Sequence, residues 1–429
     1  MRVITTRKAT ILLLISLFVV LGVAAGKRKV KQTATLAPPE SCRLVLAPLR
    51  VDKPIDQEIA QQQALILNGA SSGLERLGWA FIKKARMSFD AGFYKLAEQC
   101  AACMEARGAN GPDALLLRAH ALQSLHHFAE AERTARELIR QRERPFDYGV
   151  LGDVLIDQGK VREGAAAYQK MVDLRPDLQS YARAAHVRWL TGDLAGAMEL
   201  MKLATSASSP NDPDSAAWAF TRLALYQLQG GATKQALESC DAALSLQSDY
   251  APAMFARGRT LLAINRADEA LVQLQRAAKL NPLPEYQWAL EDALKVDSQI
   301  VARSNTEDPR TLSLYLATRN QDVERAVNLA QQELTKRRDV FTHDALAWVL
   351  AAAGRAPEAQ QQINEALSEG TADARLYLHA GVIAALNNDN KQATRWLEEA
   401  AAIKQMLLPS ERAQLDAWRH RINRKNPKE

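Results

Sequence analysis

From Leu74 onward, two small residues twelve positions apart recur about every 34 residues. Ala85 pairs with Ala97, Ala119 with Ala131, Gly152 with Gly164 and Ala185 with Ala197. Ala224 then pairs with Ala236, Gly258 with Ala270, Ala347 with Ala359 and Gly381 with Ala393. The first members step by 34, 33, 33, 39 and 34 residues, and by 34 again from Ala347 to Gly381; residues 206–214, SASSPNDPD, absorb the 39. A unit this short cannot bury its own core, so it must stack on copies of itself. Small residues at a crossing let two helices approach closely. A Gly or Asn near each turn ends the first helix: Gly92, Gly159, Gly192, Gly231, Gly354 and Asn388. Aromatics make up only 6% of the chain while Ala and Leu recur throughout, which favours helix over strand. With 47% hydrophobic and 24% charged residues, a disordered chain is excluded.

The period and its slots resemble the tetratricopeptide repeat. In residues 145–176, Leu151, Gly152, Leu155, Gly164, Tyr168, Met171 and Pro176 fall on consensus positions. Residues 251–282 do the same with Gly258, Leu261, Ala270, Leu274, Ala277 and Pro282. Phrases such as FDYGVLGDVLIDQGK and RDVFTHDALAWVLAAAGR look like a family of exported bacterial tetratricopeptide proteins, described by its repeats and not by an activity. The resemblance implies an all-α, right-handed α-solenoid of about eight to nine helix-turn-helix units. The array is expected over 74–404, irregular around 283–310, with a degenerate pair over 309–337 that puts Ala326 in the anchor slot and Leu314 in the small slot. A capping helix and basic tail are expected over 405–429, with Ser410 as N-cap and Leu415 and Trp418 covering the last repeat.

Residues 11–25 form an apolar run preceded by Arg2, Arg7 and Lys8. This reads as a signal peptide cut before Gly26, or as an uncleaved anchor associating with a membrane through residues 10–26. The short run favours cleavage; Lys27, Arg28 and Lys29 favour the anchor. Either way the body is expected to leave the cytoplasm. Residues 27–73 read as an extended linker with a short helix near 57–67. The net charge is +6, but residues 1–31 carry seven bases and no acid, and the last eleven carry five bases and one acid. The body is therefore mildly acidic, and no nucleic-acid partner is expected.

No catalytic, cofactor or metal site is expected, and the chain is not read as an enzyme. Cys100 and Cys103 form a Cys-x-x-Cys placed mid-helix, which reads as small semi-buried packing; a bridge from Cys42 to this region is conceivable in an oxidising compartment. Residues 69–73 match Gly-x-Ser-x-Gly but lack the flanking strand a nucleophile elbow needs. His120, His126 and His127 lack metal-ligand spacing, and no phosphate-loop or dinucleotide motif occurs.

In the repeat family, slots 2, 5, 9, 12 and 13 of each first helix face the concave groove. They hold Trp79, Arg86, Phe89, His120, Phe146, Asp153, Ile156, His186, Trp189, Trp218, Phe255, Arg259 and Trp348. The Lys/Asn/Arg set that grips a C-terminal carboxylate in chaperone-binding members is missing. An aromatic, apolar groove of this kind suits a peptide or helix with apolar anchors. The expected function is a non-catalytic scaffold or adaptor for another protein. The alternatives are a regulatory subunit of an enzyme complex, an enzyme with an unrecognised site, or a groove filled by the chain's own residues 32–73.

Overall fold

A computed structural model of the chain describes residues 40–69, 73–88, 90–209, 211–294 and 308–425. These hold 22 α-helices, one short 3-10 turn and no strand. Two helices precede the repeats, α1 (Glu40–Val45) and α2 (Pro54–Leu67). Six complete pairs follow. They are α3 (Gly73–Ser88) with α4 (Gly92–Ala106), α5 (Pro112–Ser124) with α6 (Phe128–Gln141), and α7 (Pro145–Asp157) with α8 (Val161–Leu174). Next come α9 (Leu178–Leu190) with α10 (Leu194–Ser206), α11 (Pro213–Gln229) with α12 (Thr233–Leu246), and α13 (Ala251–Ala263) with α14 (Ala267–Leu280). Helix α15 (Pro284–Leu294) opens a seventh unit, whose expected second helix lies outside the described residues. Three more pairs are α16 (Pro309–Thr318) with α17 (Val323–Lys336), α18 (Val340–Ala352) with α19 (Ala356–Leu367), and α20 (Ala374–Leu386) with α21 (Asn390–Ala402). The turn Lys404–Met406 leads to the last helix, α22 (Pro409–Lys425). Each helix packs on its pair partner and on the next repeat, as a solenoid requires.

The small-residue anchors sit where a side chain has no room. A Cβ on Gly152 would lie 2.3 Å from the Tyr168 ring, one on Gly258 2.8 Å from Leu274 Cδ2, and one on Gly381 2.7 Å from Leu397 Cγ. All three clashes come from the residue sixteen positions on, in the second helix of the same pair. The alanine anchors are buried in every pair, and the degenerate pair buries Ala326 and Leu314 in the same way. Gly159, Gly192, Gly231 and Gly354 turn with positive φ, as does Asn388. Gly92 does not: it begins α4, with its N–H donated to Asp90 Oδ1 at 2.8 Å.

The described part of 27–73 is more ordered than an extended linker. Pro54 opens α2 instead of interrupting it, because a first-turn proline loses no intrahelical hydrogen bond. Asp56 accepts the Lys53 N–H at 2.9 Å and pairs with Lys84 of α3. Gln63 Nε2 donates to the Val45 and Ala47 carbonyls at 2.8 and 2.9 Å, tying α2 to α1. Helix α1 in turn lies on α4, where Cys42 and Cys103 form a disulfide. Cys103 is therefore a crosslink and not mere packing, while Cys100 and Cys240 remain free and buried. At the other end Glu411, not Ser410, caps α22. Its carboxylate accepts the Leu408 N–H at 2.8 Å, and Ser410 instead donates its N–H to Asp292 at 3.1 Å.

Two expectations follow. Gly152→Val should lower stability by about 1–3 kcal/mol, read from the urea midpoint, because the Tyr168 ring must move. Replacing both Cys42 and Cys103 by Ser opens a loop of 61-residue separation, worth on the order of 4 kcal/mol by chain entropy. Hydrogen exchange should place that loss in α1 to α4 and leave α9 to α14 unchanged, since repeat contacts are local.

Candidate interaction groove

The first helices of the early repeats bring an aromatic wall together. Trp79, His120 and Phe146, from α3, α5 and α7, have ring centroids 5.5, 6.1 and 6.3 Å apart. Trp79 and Phe146 are half-buried, and His120 is buried. Arg86 places Nη2 2.7 Å from His120 Nε2. Burial, and then the Arg86 charge, push the His120 pKa down to about 3, so the ring is neutral. Arg183 of α9 lies over the Phe146 ring at 5.7 Å and holds Asp153 with Nε at 2.9 Å and Nη2 at 2.8 Å. Tyr168 Oη donates to the same carboxylate at 2.7 Å. Burial opposes the Asp153 charge, but Arg183 and the Tyr168 hydroxyl outweigh it and keep the carboxyl below its usual range.

Further along, the groove is closed by the chain itself. Trp189 stacks on Phe341 of α18 at 5.7 Å with ring planes 14° apart. It also donates Nε1–H to Gln229 Oε1 at 2.7 Å. Around this stack the middle and late repeats meet along a seam. Thr371 Oγ1 donates to the Leu190 carbonyl at 2.5 Å, and Gln229 Nε2 to the Ala372 carbonyl at 2.5 Å. Gln405 Nε2 reaches the Gln229 carbonyl at 2.6 Å, Arg337 reaches Asp157 at 3.3 Å, and Arg259 donates to the Met406 carbonyl. Gly159 and Gly192 stand on this seam: a Cβ on either would lie 2.5 Å from the Arg338 carbonyl oxygen or 2.7 Å from that of Gly370. A cavity of about 580 Å³ remains there, with Ile156, Leu190 and Val340 among its walls.

The expected groove residues thus divide. Trp79, Arg86, His120, Phe146 and Asp153 group around the early aromatic wall, and His186 stacks on Trp189 at 5.6 Å. Trp189 and Arg259 are engaged by the late repeats, and Ile156 is buried beside the seam cavity. Phe255 stacks on Tyr286 at 4.5 Å and is buried between repeats. Trp348 stacks on His379 at 4.0 Å, donates to Thr318 Oγ1 at 3.0 Å and is likewise buried. The last two are packing residues. Trp218 is 41% exposed, and Phe89 lies outside the described residues. The helices over 40–69 pack on the first repeat, so the described part of 32–73 does not fill the groove. Arg183 and Arg222 were missing from the expected set. Arg183 and Arg222 are 39 residues apart, the same step as Ala185 to Ala224, and that match was the available signal. Among the described residues no three His, Cys, Asp or Glu side chains gather as metal ligands. No helix there is long and apolar enough to cross a membrane, and residues 10–26, expected as a signal or anchor, lie outside them.

Residues 150–216 and 221–286 match the family model described as Tetratricopeptide repeat. The chain therefore carries tetratricopeptide repeats over these stretches. No curated protein matches it in sequence. Among solved structures, the tetratricopeptide array is similar to YrrB, a TPR protein with an unusual peptide-binding site. Identity is 17%, covering 45% of this chain and 95% of that one, with a TM-score of 0.32. It is similar to human IFIT1, solved as a dimer with PPP-AAAA, at 14% identity over 81% of this chain and 78% of the other, TM-score 0.42. Yeast Tom70 shares 13% identity over 85% and 94%, TM-score 0.34.

The lowered pKa values of His120, His126 and His186 predict that acid destabilises the array. Unfolded histidine protonates near pH 6.5, whereas folded His120 resists to about 3 and His126 and His186 to about 4. Between those limits the unfolded chain binds more protons, so stability falls as pH drops. Urea midpoints at pH 7, 5.5 and 4.5 should decline, less steeply in His120→Gln; equal slopes would refute the burial of a neutral His120.

Proposed function

We propose that the chain is a non-catalytic adaptor that holds another protein, through a peptide or helix, in the open stretch of its concave face. One observation carries this. The Trp79–His120–Phe146 wall, with Trp79 and Phe146 half-buried and Arg183 on Phe146, makes none of the seam contacts that engage the later aromatics. Aromatic and guanidinium groups of this kind dominate binding when a partner desolvates them. The titratable groups beside the wall are committed to one another, as Arg183 with Asp153 and Arg86 with His120, which favours recognition over proton transfer.

The adaptor is exported, either released or held at a membrane by residues 10–26. The Cys42–Cys103 disulfide supports this, because such bonds persist in oxidising compartments. In a thiol count on freshly isolated protein, only Cys100 and Cys240 should alkylate after unfolding. N-terminal sequencing separates a start at Gly26 from an intact leader.

For the groove, a photo-crosslinking residue at position 79 should trap a partner that the same residue at exposed position 272 does not. Phe146→Ala added to the position-79 crosslinking variant should cut that capture by about tenfold or more with helicity unchanged. Capture that survives the added substitution would place the partner elsewhere.

A further inference from the structure

Comparing repeats in register shows a cation whose neighbour has been exchanged. The 33-residue step from Gly152 to Ala185 carries Asp153 onto His186, and the 39-residue step from Ala185 to Ala224 carries Arg183 onto Arg222. In the earlier pair of helices the guanidinium meets a carboxylate in two-pronged fashion, at 2.9 and 2.8 Å. In the later pair the carboxylate position is held by His186. Burial and then the Arg222 charge push its pKa down to about 4, leaving a neutral ring. Among the described residues Arg222 has no ion-pair partner; its Nη2 reaches only Tyr226 Oη, at 3.4 Å.

Arg222 is nonetheless held in place. Its guanidinium lies over the Trp189 ring at 6.0 Å and the Tyr226 ring at 5.3 Å. Trp189 is in turn braced by Phe341, so the platform does not move. A half-buried guanidinium flanked by aromatic faces and a neutral imidazole sits in a low-dielectric recess, where it attracts a carboxylate more strongly than an exposed one would. One helical turn earlier on α11, Trp218 offers the exposed apolar surface of an indole.

We propose that Arg222 receives an Asp or Glu side chain of the bound protein, with an apolar residue beside that acid resting on Trp218. The ligand is an acidic segment with apolar neighbours, lying along α9 and α11 at the edge of the seam. This rests on the adaptor reading above and adds the chemistry of its partner.

The test uses two fluorescein-labelled libraries of twelve-residue peptides, one with a central Glu and one with Gln, each set among apolar and small residues. They are titrated against the full chain by fluorescence polarisation. The Glu library should bind about tenfold tighter than the Gln library, and Arg222→Gln should erase the difference. His186→Asp is the second variant. It places a carboxylate where Asp153 stands one repeat earlier, so Arg222 pairs internally, the Glu preference disappears and the melting temperature does not fall. If Arg222→Gln fails to fold, His186→Asp decides alone. Equal binding of both libraries to the native chain overturns the proposal and leaves the adaptor reading standing. A Glu preference that survives either folded variant also overturns it. Binding of neither library, with the position-79 crosslink also absent, overturns both.

Discussion

Helix pairs that cross too closely for a Cβ set the geometry on which the rest of the molecule depends. At Gly152 the Tyr168 ring occupies the space a side chain would need, and at Gly258 and Gly381 leucine side chains do the same. Close crossing buries the apolar face of each helix against its partner, which a unit of about 34 residues cannot do alone. The phenol that fills the Gly152 gap also hydrogen-bonds Asp153 with its Oη, at 2.7 Å. One contact thus both spaces the helices and fixes a carboxylate in the groove wall. Arg183 then completes the link to the next repeat.

A second constraint is superimposed on this local one. The middle repeats and the late repeats meet along a line of side chain to backbone hydrogen bonds, with Trp189 stacked on Phe341 at its centre. These contacts convert part of an open concave surface into an interior. Trp79, His120 and Phe146, on α3, α5 and α7, make none of these seam contacts. The seam contacts also turn Trp189 from a candidate ligand contact into the floor under Arg222.

How much of this was legible in sequence depends on the range of the contacts. The small-residue pairs, the turn residues and the helix pairing obey a 34-residue period, and reading that period located them. The seam joins residues separated by 143 to 181 positions, and no periodic signal reports such contacts. The slot rule put Trp79, Phe255 and Trp348 in one class of groove-lining residue, yet Phe255 and Trp348 are buried. It could not separate the half-buried Trp79 from Phe255 and Trp348, because burial there is set by the neighbouring repeat's bulk, Tyr286 and His379. For the N-terminal region, the short helix expected near 57–67 is present as α2, and only the part before it departs from expectation. Its prolines suggested an extended chain, yet Pro54 sits at a helix start, where proline fits, and a crosslink of 61-residue separation holds α1 on the array.

The seam changes what kind of object the array is. An open solenoid tolerates the gain or loss of a unit, because each repeat touches only its neighbours. Here Thr371 finds Leu190, and Gln405 finds Gln229, only when the path between them has its present number of helices. One more pair would carry those donors past their carbonyls and bring a Cβ-bearing residue against Gly159 or Gly192. Closure therefore counts the repeats: the molecule behaves as a washer of set circumference, not as a spring that can be lengthened by a coil.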